Sequence, residues 1–100
     1  MPLPGREQVV KLSVAVSSGA GVGTITNQWA LCRRIRVVPP NESATYSVNL
    51  KDADGHYVMK QTNLTGTLSW IDDLSLGEIS TVGITGASVD GTYIVKFSMH

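Results

Sequence analysis

Apolar and polar residues alternate most clearly between Ala44 and Lys51, which is typical of a strand with one buried and one solvated face. A turn is predicted at Asp52–Gly55, because aspartate side chains accept hydrogen bonds from nearby backbone N–H groups and glycine tolerates a positive φ. The return strand is predicted at His56–Thr62, which completes a β-hairpin. An isolated hairpin is only marginally stable in water, so further strands must cover its apolar face.

Shorter alternating segments on either side of this hairpin predict the additional strands. Each segment is bounded by glycine, proline or small polar residues that favour turns. The predicted strands are Glu7–Ser17, Leu31–Val38, Leu64–Ile71, Glu78–Thr85 and Thr92–Met99, with a short edge strand within Thr24–Trp29. Gly66 is interpreted as a bulge, Asp72–Asp73 as the end of its strand, and the glycine-rich segment Ser17–Gly23 as a flexible loop.

These segments predict an all-β fold, because no window shows a sustained helical period. The expected architecture is a single β-sandwich or small jelly roll of about seven to eight strands. One hundred residues fit one domain, residues 1–100, with Met1–Arg6 as a flexible N-terminal arm. The predicted core consists of Val10, Leu12, Val14, Val16, Leu31, Ile35, Val37, Tyr46, Val48, Leu50, Leu68, Val82, Ile84, Tyr93, Val95 and Phe97.

The composition narrows the possible partners and the compartment. Eight basic and eight acidic residues cancel, so we expect neither nucleic acid nor membrane as a partner unless a local patch exists. The single cysteine excludes an intramolecular disulfide and is compatible with a reducing compartment. The opening MPLPGREQ has neither the apolar core of a signal peptide nor that of a membrane helix. We therefore expect a soluble protein made inside the cell.

No pattern of catalytic or ligand-binding residues is evident, so we expect neither an enzyme nor a bound cofactor. Asp52-x-Asp54-Gly55 resembles the start of a calcium loop, but the later glutamate is missing and a hairpin turn is the preferred interpretation. His56, His100 and Cys32 are too few for a zinc site, and no metal is expected. Neither a G-x-S-x-G turn nor a phosphate-binding glycine loop occurs.

The candidate binding residues are charged or aromatic. Three of the eight basic residues, Arg33, Arg34 and Arg36, lie within four positions, and on a strand the latter two project together. They form either a solvated face or a docking surface for carboxylates, which guanidinium groups bind through paired hydrogen bonds. Asp72, Asp73 and Glu78 are a complementary acidic group, within the subunit or on a neighbour. Trp29 and Trp70 are interpreted as core or interface anchors, with a sugar-binding platform as the alternative.

Two longer segments resemble small virion structural proteins of tailed bacteriophages. These are WALCRRIRVVPPNESATYSVNLKDADGHYVMKQTNLTGTL and, later, GITGASVDGTYIVKF, so the resemblance covers Gln28–Phe97. In such proteins a basic strand ends at prolines, a Tyr-x-Val-x-Leu-x-Asp-x-Asp-Gly hairpin and Thr-Gly-x-Leu follow, and a Gly-x-Tyr strand closes the chain. The resemblance implies a β-sandwich in the virion, assembled in the host cytoplasm, with a capsid decoration or cement protein as the leading candidate.

Several functions therefore remain open from the sequence. The leading hypothesis is a non-enzymatic homo-oligomer, with a trimer as one arrangement, that binds the major capsid protein or another virion protein. The alternatives within the virion are a head-fibre, neck or tail component. A small carbohydrate-binding module that uses Trp29 or Trp70 is the alternative outside that class.

Overall fold

The computed structural model describes residues 8–25, 31–75, 79 and 81–99. Their secondary structure consists of strands, turns and bends, and no helix that could cross a membrane lies within these ranges. The strands are β1 (Gln8–Val16), β2 (Gly21–Thr24), β3 (Leu31–Val38), β4 (Thr45–Lys51), β5 (Tyr57–Thr65), β6 (Leu68–Ser75), β7 (Thr81–Thr85) and β8 (Gly91–Met99).

The strands form two four-stranded antiparallel sheets that pack as a sandwich. One sheet has the order β1-β8-β3-β6 and the other has the order β2-β7-β4-β5. The first strand therefore pairs with the last, the second with the seventh, the third with the sixth and the fourth with the fifth. This nested pairing is the topology of a jelly roll, in which a long antiparallel ribbon is rolled into two sheets. The predicted all-β fold is confirmed.

The core lies between the two sheets and is built from alternate residues of their strands. Twelve of its members were predicted: Val14, Val16, Ile35, Val37, Tyr46, Val48, Leu50, Val82, Ile84, Tyr93, Val95 and Phe97. Val10 and Leu12 pack against the core while partly exposed, Leu68 is half-buried, and the Leu31 side chain lies outside the described part. Four further buried residues were not predicted: Ile25, Ala44, Met59 and Ile79.

Two buried tyrosines connect the core to the turns at one end of the sandwich. The rings of Tyr46 and Tyr93 meet edge to face, with centroids 5.4 Å apart and planes at 72°. The Tyr46 hydroxyl donates to the Gly66 carbonyl at 2.7 Å, and the Tyr93 hydroxyl donates to the Val89 carbonyl at the same distance. Both hydroxyl groups therefore keep a partner after losing water, which buried polar groups require.

The predicted strand Leu64–Ile71 is wrong, because the chain changes sheets in its middle. Leu64 belongs to β5, whereas Leu68 begins β6 in the other sheet. Gly66, with φ +70°, lies in the turn between them rather than in a bulge. The Glu42 carboxylate fixes this turn by accepting hydrogen bonds from the backbone N–H and the hydroxyl of Thr67.

The boundary predicted at Asp72–Asp73 is also wrong, since β6 continues through both residues to Ser75. Strand β7 is shorter than the predicted Glu78–Thr85 and begins at Thr81. The return strand of the central hairpin begins one residue later than predicted, at Tyr57, and continues three residues further.

The predicted flexible loop Ser17–Gly23 is instead a tight turn followed by a strand. Ser17 and Ala20 exchange two backbone hydrogen bonds, and Ser18 and Gly19 have φ values of +56° and +82°. Positive φ at both central residues defines a type I′ turn, which matches the twist of antiparallel strands. The Asp90 carboxylate accepts hydrogen bonds from the backbone N–H groups of Ser18 and Gly19. Strand β2 therefore begins at Gly21, and residues 26–29 of the predicted edge strand lie outside the described part.

Candidate functional site

A row of three cations crosses the outer face of the sheet that contains β1, β8 and β3. Lys11 lies directly opposite Lys96, and Lys96 lies directly opposite Arg36. The residues on either side of each cation in its own strand point into the sandwich, because neighbouring strand residues face opposite ways. The alternation that buries Val95 and Phe97 therefore places Lys96 between its two basic neighbours. We call these three residues the cation row.

A second row beside it completes a shallow depression on the same face. Val9 lies opposite Ser98, which lies opposite Arg34. Together with the cation row, these residues line an open concavity of about 380 Å³, which we call the basic concavity. Four of the chain's eight basic residues therefore share one face, although the chain as a whole is neutral.

The cation row is electrostatically unfavourable in the isolated domain. Like charges directly opposite each other on neighbouring strands repel and destabilise the sheet. Among the side chains that the structure describes, no carboxylate forms an ion pair with Lys11, Arg36 or Lys96. Glu42 and Asp90 stabilise turns instead. The Glu42 carboxylate accepts a hydrogen bond from the Thr67 hydroxyl, and the Asp90 carboxylate accepts one from a backbone N–H group of the β1–β2 turn. The basic concavity therefore fits an anionic partner, which would relieve this repulsion.

The structure brings together some of the predicted binding residues. Arg34 and Arg36 project from the same face, as expected, and both line the basic concavity. Arg33 is exposed at the irregularity between Cys32 and Arg34, where the register of β3 shifts against both of its neighbours. Asp72 and Asp73 lie on β6, but their side chains are outside the described part, as is all of Trp29.

Trp70 is not exposed as a sugar-binding platform would be. It lies opposite Ile35 and packs against the core, partly buried. Its indole N–H donates to the Met59 sulfur at 3.3 Å, across the space between the sheets. Sugar-binding tryptophans present an open ring face to the ligand, whereas this ring is engaged between the sheets.

Two members of the basic concavity, Lys11 and Lys96, were missed as binding residues by the sequence analysis. Each was assigned to the solvated face of its strand, which is where it lies. Alternation along a strand shows which residues share its face, but it does not show which strand lies alongside. The two lysines could have been identified as neighbours from the strand order of a jelly roll, which places the first strand beside the last.

The turn between β4 and β5 holds the cluster that resembles a calcium loop. The ligand atoms of Asp52, Asp54 and His56 lie within 4.8 Å of one another. Asp52 Oδ1 accepts hydrogen bonds from the backbone N–H groups of Asp54 and His56, each at 2.9 Å. The hydrogen bond from His56 is the main cause of the lowered pKa of Asp52. These bonds account for Asp52 as a turn residue, and the expectation that no metal binds stays a prediction.

Comparisons with known proteins do not identify a family or a function for this chain. No protein-family model matches the chain, and no curated protein matches it. A solved structure of infectious bursal disease virus, Gx strain, is similar over 95% of this chain and 33% of the viral chain, with 12% identity and a TM-score of 0.39. The chain thus spans about a third of the length of that viral chain. A TM-score this low gives no ground for transferring a function.

Proposed function

We propose that this protein is a non-enzymatic structural component of a bacteriophage virion that adheres to the capsid as a decoration or cement protein. The basic concavity is its docking surface, and a carboxylate-bearing surface of the major capsid protein is its partner. Carboxylates complement the ammonium and guanidinium groups of Lys11, Lys96, Arg34 and Arg36. Self-association around a symmetry axis of the shell would add avidity, because several copies would then bind repeated sites together.

The observation that carries the proposal is the cation row. A fold that keeps three cations opposite one another forgoes stability that neutral residues would provide. Such a cost is typical of a surface retained for binding, where complementary charge raises the association rate and sets specificity. The resemblance of Gln28–Phe97 to tailed-phage virion proteins supports another virion protein as the partner that bears the complementary acidic surface. Both considerations apply equally to a head-fibre, neck or tail component.

The carbohydrate-binding alternative has less support. Of its two candidate tryptophans, the described one, Trp70, packs between the sheets and donates its N–H to Met59. The basic concavity presents charged groups, whereas neutral glycans are bound by flat aromatic faces and neutral hydrogen-bonding groups.

Co-sedimentation with capsids that lack this protein tests the proposal. The test variant is Lys96→Gln with Arg36→Gln, which removes two positive charges from the cation row. The matched control is Thr24→Glu with Thr85→Glu, which changes the net charge equally at exposed positions on the other sheet. We expect the test variant to lose at least about tenfold in affinity and the control to bind like the wild type.

The outcomes separate the alternatives. Equal loss in both variants would mean that only net charge matters, and the basic concavity would be excluded as the docking surface. Failure of the wild type to sediment with capsids would exclude the capsid as partner and direct the search to purified tails. Preferential binding to DNA over capsids, with a steep dependence on salt, would replace the proposal with a nucleic-acid function.

A further inference from the structure

A second group of charged and aromatic residues lies on the opposite sheet. Tyr57 begins β5 and is 56% exposed, which makes it one of three large apolar side chains exposed within the described ranges. The Lys51 ammonium lies 5.1 Å from the centre of its ring, and the Lys60 ammonium lies 5.0 Å from the same point. Cations at this distance from a ring are attracted by its negative face. We call these three residues the tyrosine cluster.

Among the described side chains, no carboxylate pairs with the lysines of the tyrosine cluster. Asp52 is adjacent to Lys51 in the chain, but its carboxylate faces the turn, where it binds two backbone N–H groups and lies 3.8 Å from His56 Nδ1. Among the described side chains, no acidic group forms an ion pair with Lys51 or Lys60. Two ammonium groups therefore lie near one ring, and no described carboxylate pairs with either.

The tyrosine cluster has the composition of a protein-binding anchor. Tyrosine gives a large contact area while losing few side-chain rotamers, and it is enriched among residues that dominate binding energy. The two cation–π contacts also favour this position of the ring in the free protein. A purely structural role, in which Tyr57 and Lys51 only stabilise the hairpin as cross-strand neighbours, would leave both ammonium groups without a carboxylate partner among the described side chains.

We infer that the tyrosine cluster is a second docking surface, which binds a carboxylate-bearing protein segment against the Tyr57 ring. Lys51 and Lys60 would each donate to a carboxylate while an apolar part of the segment covers the ring. Because the tyrosine cluster and the basic concavity lie on opposite sheets, one molecule can hold two acidic segments at once. The protein would then bridge two subunits. This inference does not depend on a virion being the source of the segments.

Titration of isotope-labelled protein with a hexaglutamate peptide tests the inference by nuclear magnetic resonance. We expect the backbone amide signals of Lys51, Tyr57 and Lys60 to shift, separately from those of the basic concavity. Tyr57→Ala should weaken binding at the tyrosine cluster by about fivefold or more while leaving both lysines in place. Binding at the basic concavity should not change. Hexaglutamine is the neutral control peptide.

Two measurements keep the test decisive. Melting temperature is recorded for each variant, and Lys51→Gln with Lys60→Gln replaces Tyr57→Ala if the latter does not fold. Tyr57→Phe keeps the ring and should bind like the wild type. Shifts confined to the basic concavity would overturn the inference. An unchanged affinity in Tyr57→Ala would also overturn it, because the binding would then reflect general charge attraction rather than a surface built around the ring.

Discussion

Gly55 and Gly66 both have left-handed backbone conformations but differ in their surroundings. Their φ values are +85° and +70°. A Cβ added at Gly66 would lie 2.8 Å from the Glu42 carbonyl oxygen, whereas one added at Gly55 would meet nothing within 4 Å. Both glycines therefore avoid backbone strain, and Gly66 also permits a close approach of two chain segments.

The first prediction compares alanine at these two positions. Gly55→Ala should lower the free energy of unfolding by about 1 kcal/mol, because only the left-handed conformation is penalised. Gly66→Ala should cost roughly 2 kcal/mol or more, since the Glu42 backbone must also move. Urea denaturation of both variants measures the difference. Equal losses would show that the turn after β5 relaxes around the added methyl group.

The second prediction concerns Tyr46, whose side chain is 2% exposed in this sandwich. Burial, with smaller contributions from Tyr93 and Glu42, raises its pKa from 10.0 to about 12. The unfolded chain therefore loses this proton at a lower pH than the folded protein does. Protonated Tyr46 should therefore contribute its full stabilisation of the folded state below pH 10. This contribution should be lost as the pH rises from 10 to about 12.

Melting temperatures measured between pH 8 and about pH 12 test this expectation against Tyr46→Phe. The variant should be less stable at pH 8, because it lacks the hydrogen bond to Gly66, but its melting temperature should fall less steeply above pH 10. Parallel curves for the two proteins would assign the alkaline loss to other groups. Tyr93 is the first of these to consider, because burial also raises its pKa.

For single residues, prediction from sequence succeeded where a residue's own chemistry decides its conformation. The Asp-Gly pair is sufficient to predict the turn between β4 and β5, and the left-handed conformation of Gly55 is confirmed. Gly66 was misinterpreted because its role depends on Glu42, which is distant in the chain. Local sequence cannot distinguish a bulge within a strand from a turn between two sheets.

Strand β8 is the element on which both the core and the basic concavity depend. Its inward residues Tyr93, Val95 and Phe97 are fully buried, and its outward residue Lys96 occupies the centre of the cation row. The third prediction is that Phe97→Ala lowers the free energy of unfolding by about 3–5 kcal/mol, because it removes a large buried side chain and leaves a cavity. Val22→Ala, at a position 69% exposed, is the control and should change stability little.

The fourth prediction is that Lys96→Glu makes the isolated domain more stable. Glutamate at this position would lie between Lys11 and Arg36, so two repulsive cross-strand pairs would become attractive. We expect an increase of up to about 1 kcal/mol that declines with added salt. Thermal denaturation at low and high ionic strength provides the measurement.

The same variant should bind capsids less tightly than the wild type, so its stability and its function would change in opposite directions. That combination would identify the cation row as a surface kept at the expense of stability. If Lys96→Glu were instead less stable than the wild type at low salt, Lys96 would already have a favourable environment. That result would contradict the proposed repulsion.

Individual strands were predictable where alternation is long and uninterrupted. The bounds of β3 match the predicted Leu31–Val38, those of β1 differ by one residue at each end, and those of β8 differ by one residue at its start. Strand β2 was missed because Gly21 and Gly23 suggest flexibility. In the structure both positions need small residues, since a Cβ at Gly21 would overlap the Ala15 carbonyl and one at Gly23 would crowd Leu12.

For the whole molecule, the sequence predicted the class of fold but not the order of the strands. Alternation assigns an inner and an outer face to each strand, and antiparallel partners can then be arranged in many ways. The cation row depends on that order, because Lys11 and Lys96 come from opposite ends of the chain. The arginines were recognised as candidates because they are neighbours in sequence, which the lysines are not.

The nested pairing also has a consequence for how the molecule assembles. Of the four nested pairs, only β4 and β5 are consecutive strands joined by a short turn, whereas β1 and β8 come from opposite ends of the chain. Contacts between distant segments carry a larger loop-closure cost and form slowly unless others shorten the loop first. We therefore expect the central hairpin to form early and the β1–β8 pair to close the fold.

The cation row would then be among the last features to appear during folding. A chain whose final strand has not docked carries Arg36 on β3 but has neither Lys96 beside it nor Lys11 beyond. Such an intermediate cannot offer the complete charge pattern to a partner. If the proposed docking takes place, recognition would select for folded copies, because an unfinished copy would lack part of the cation row and would stay in solution.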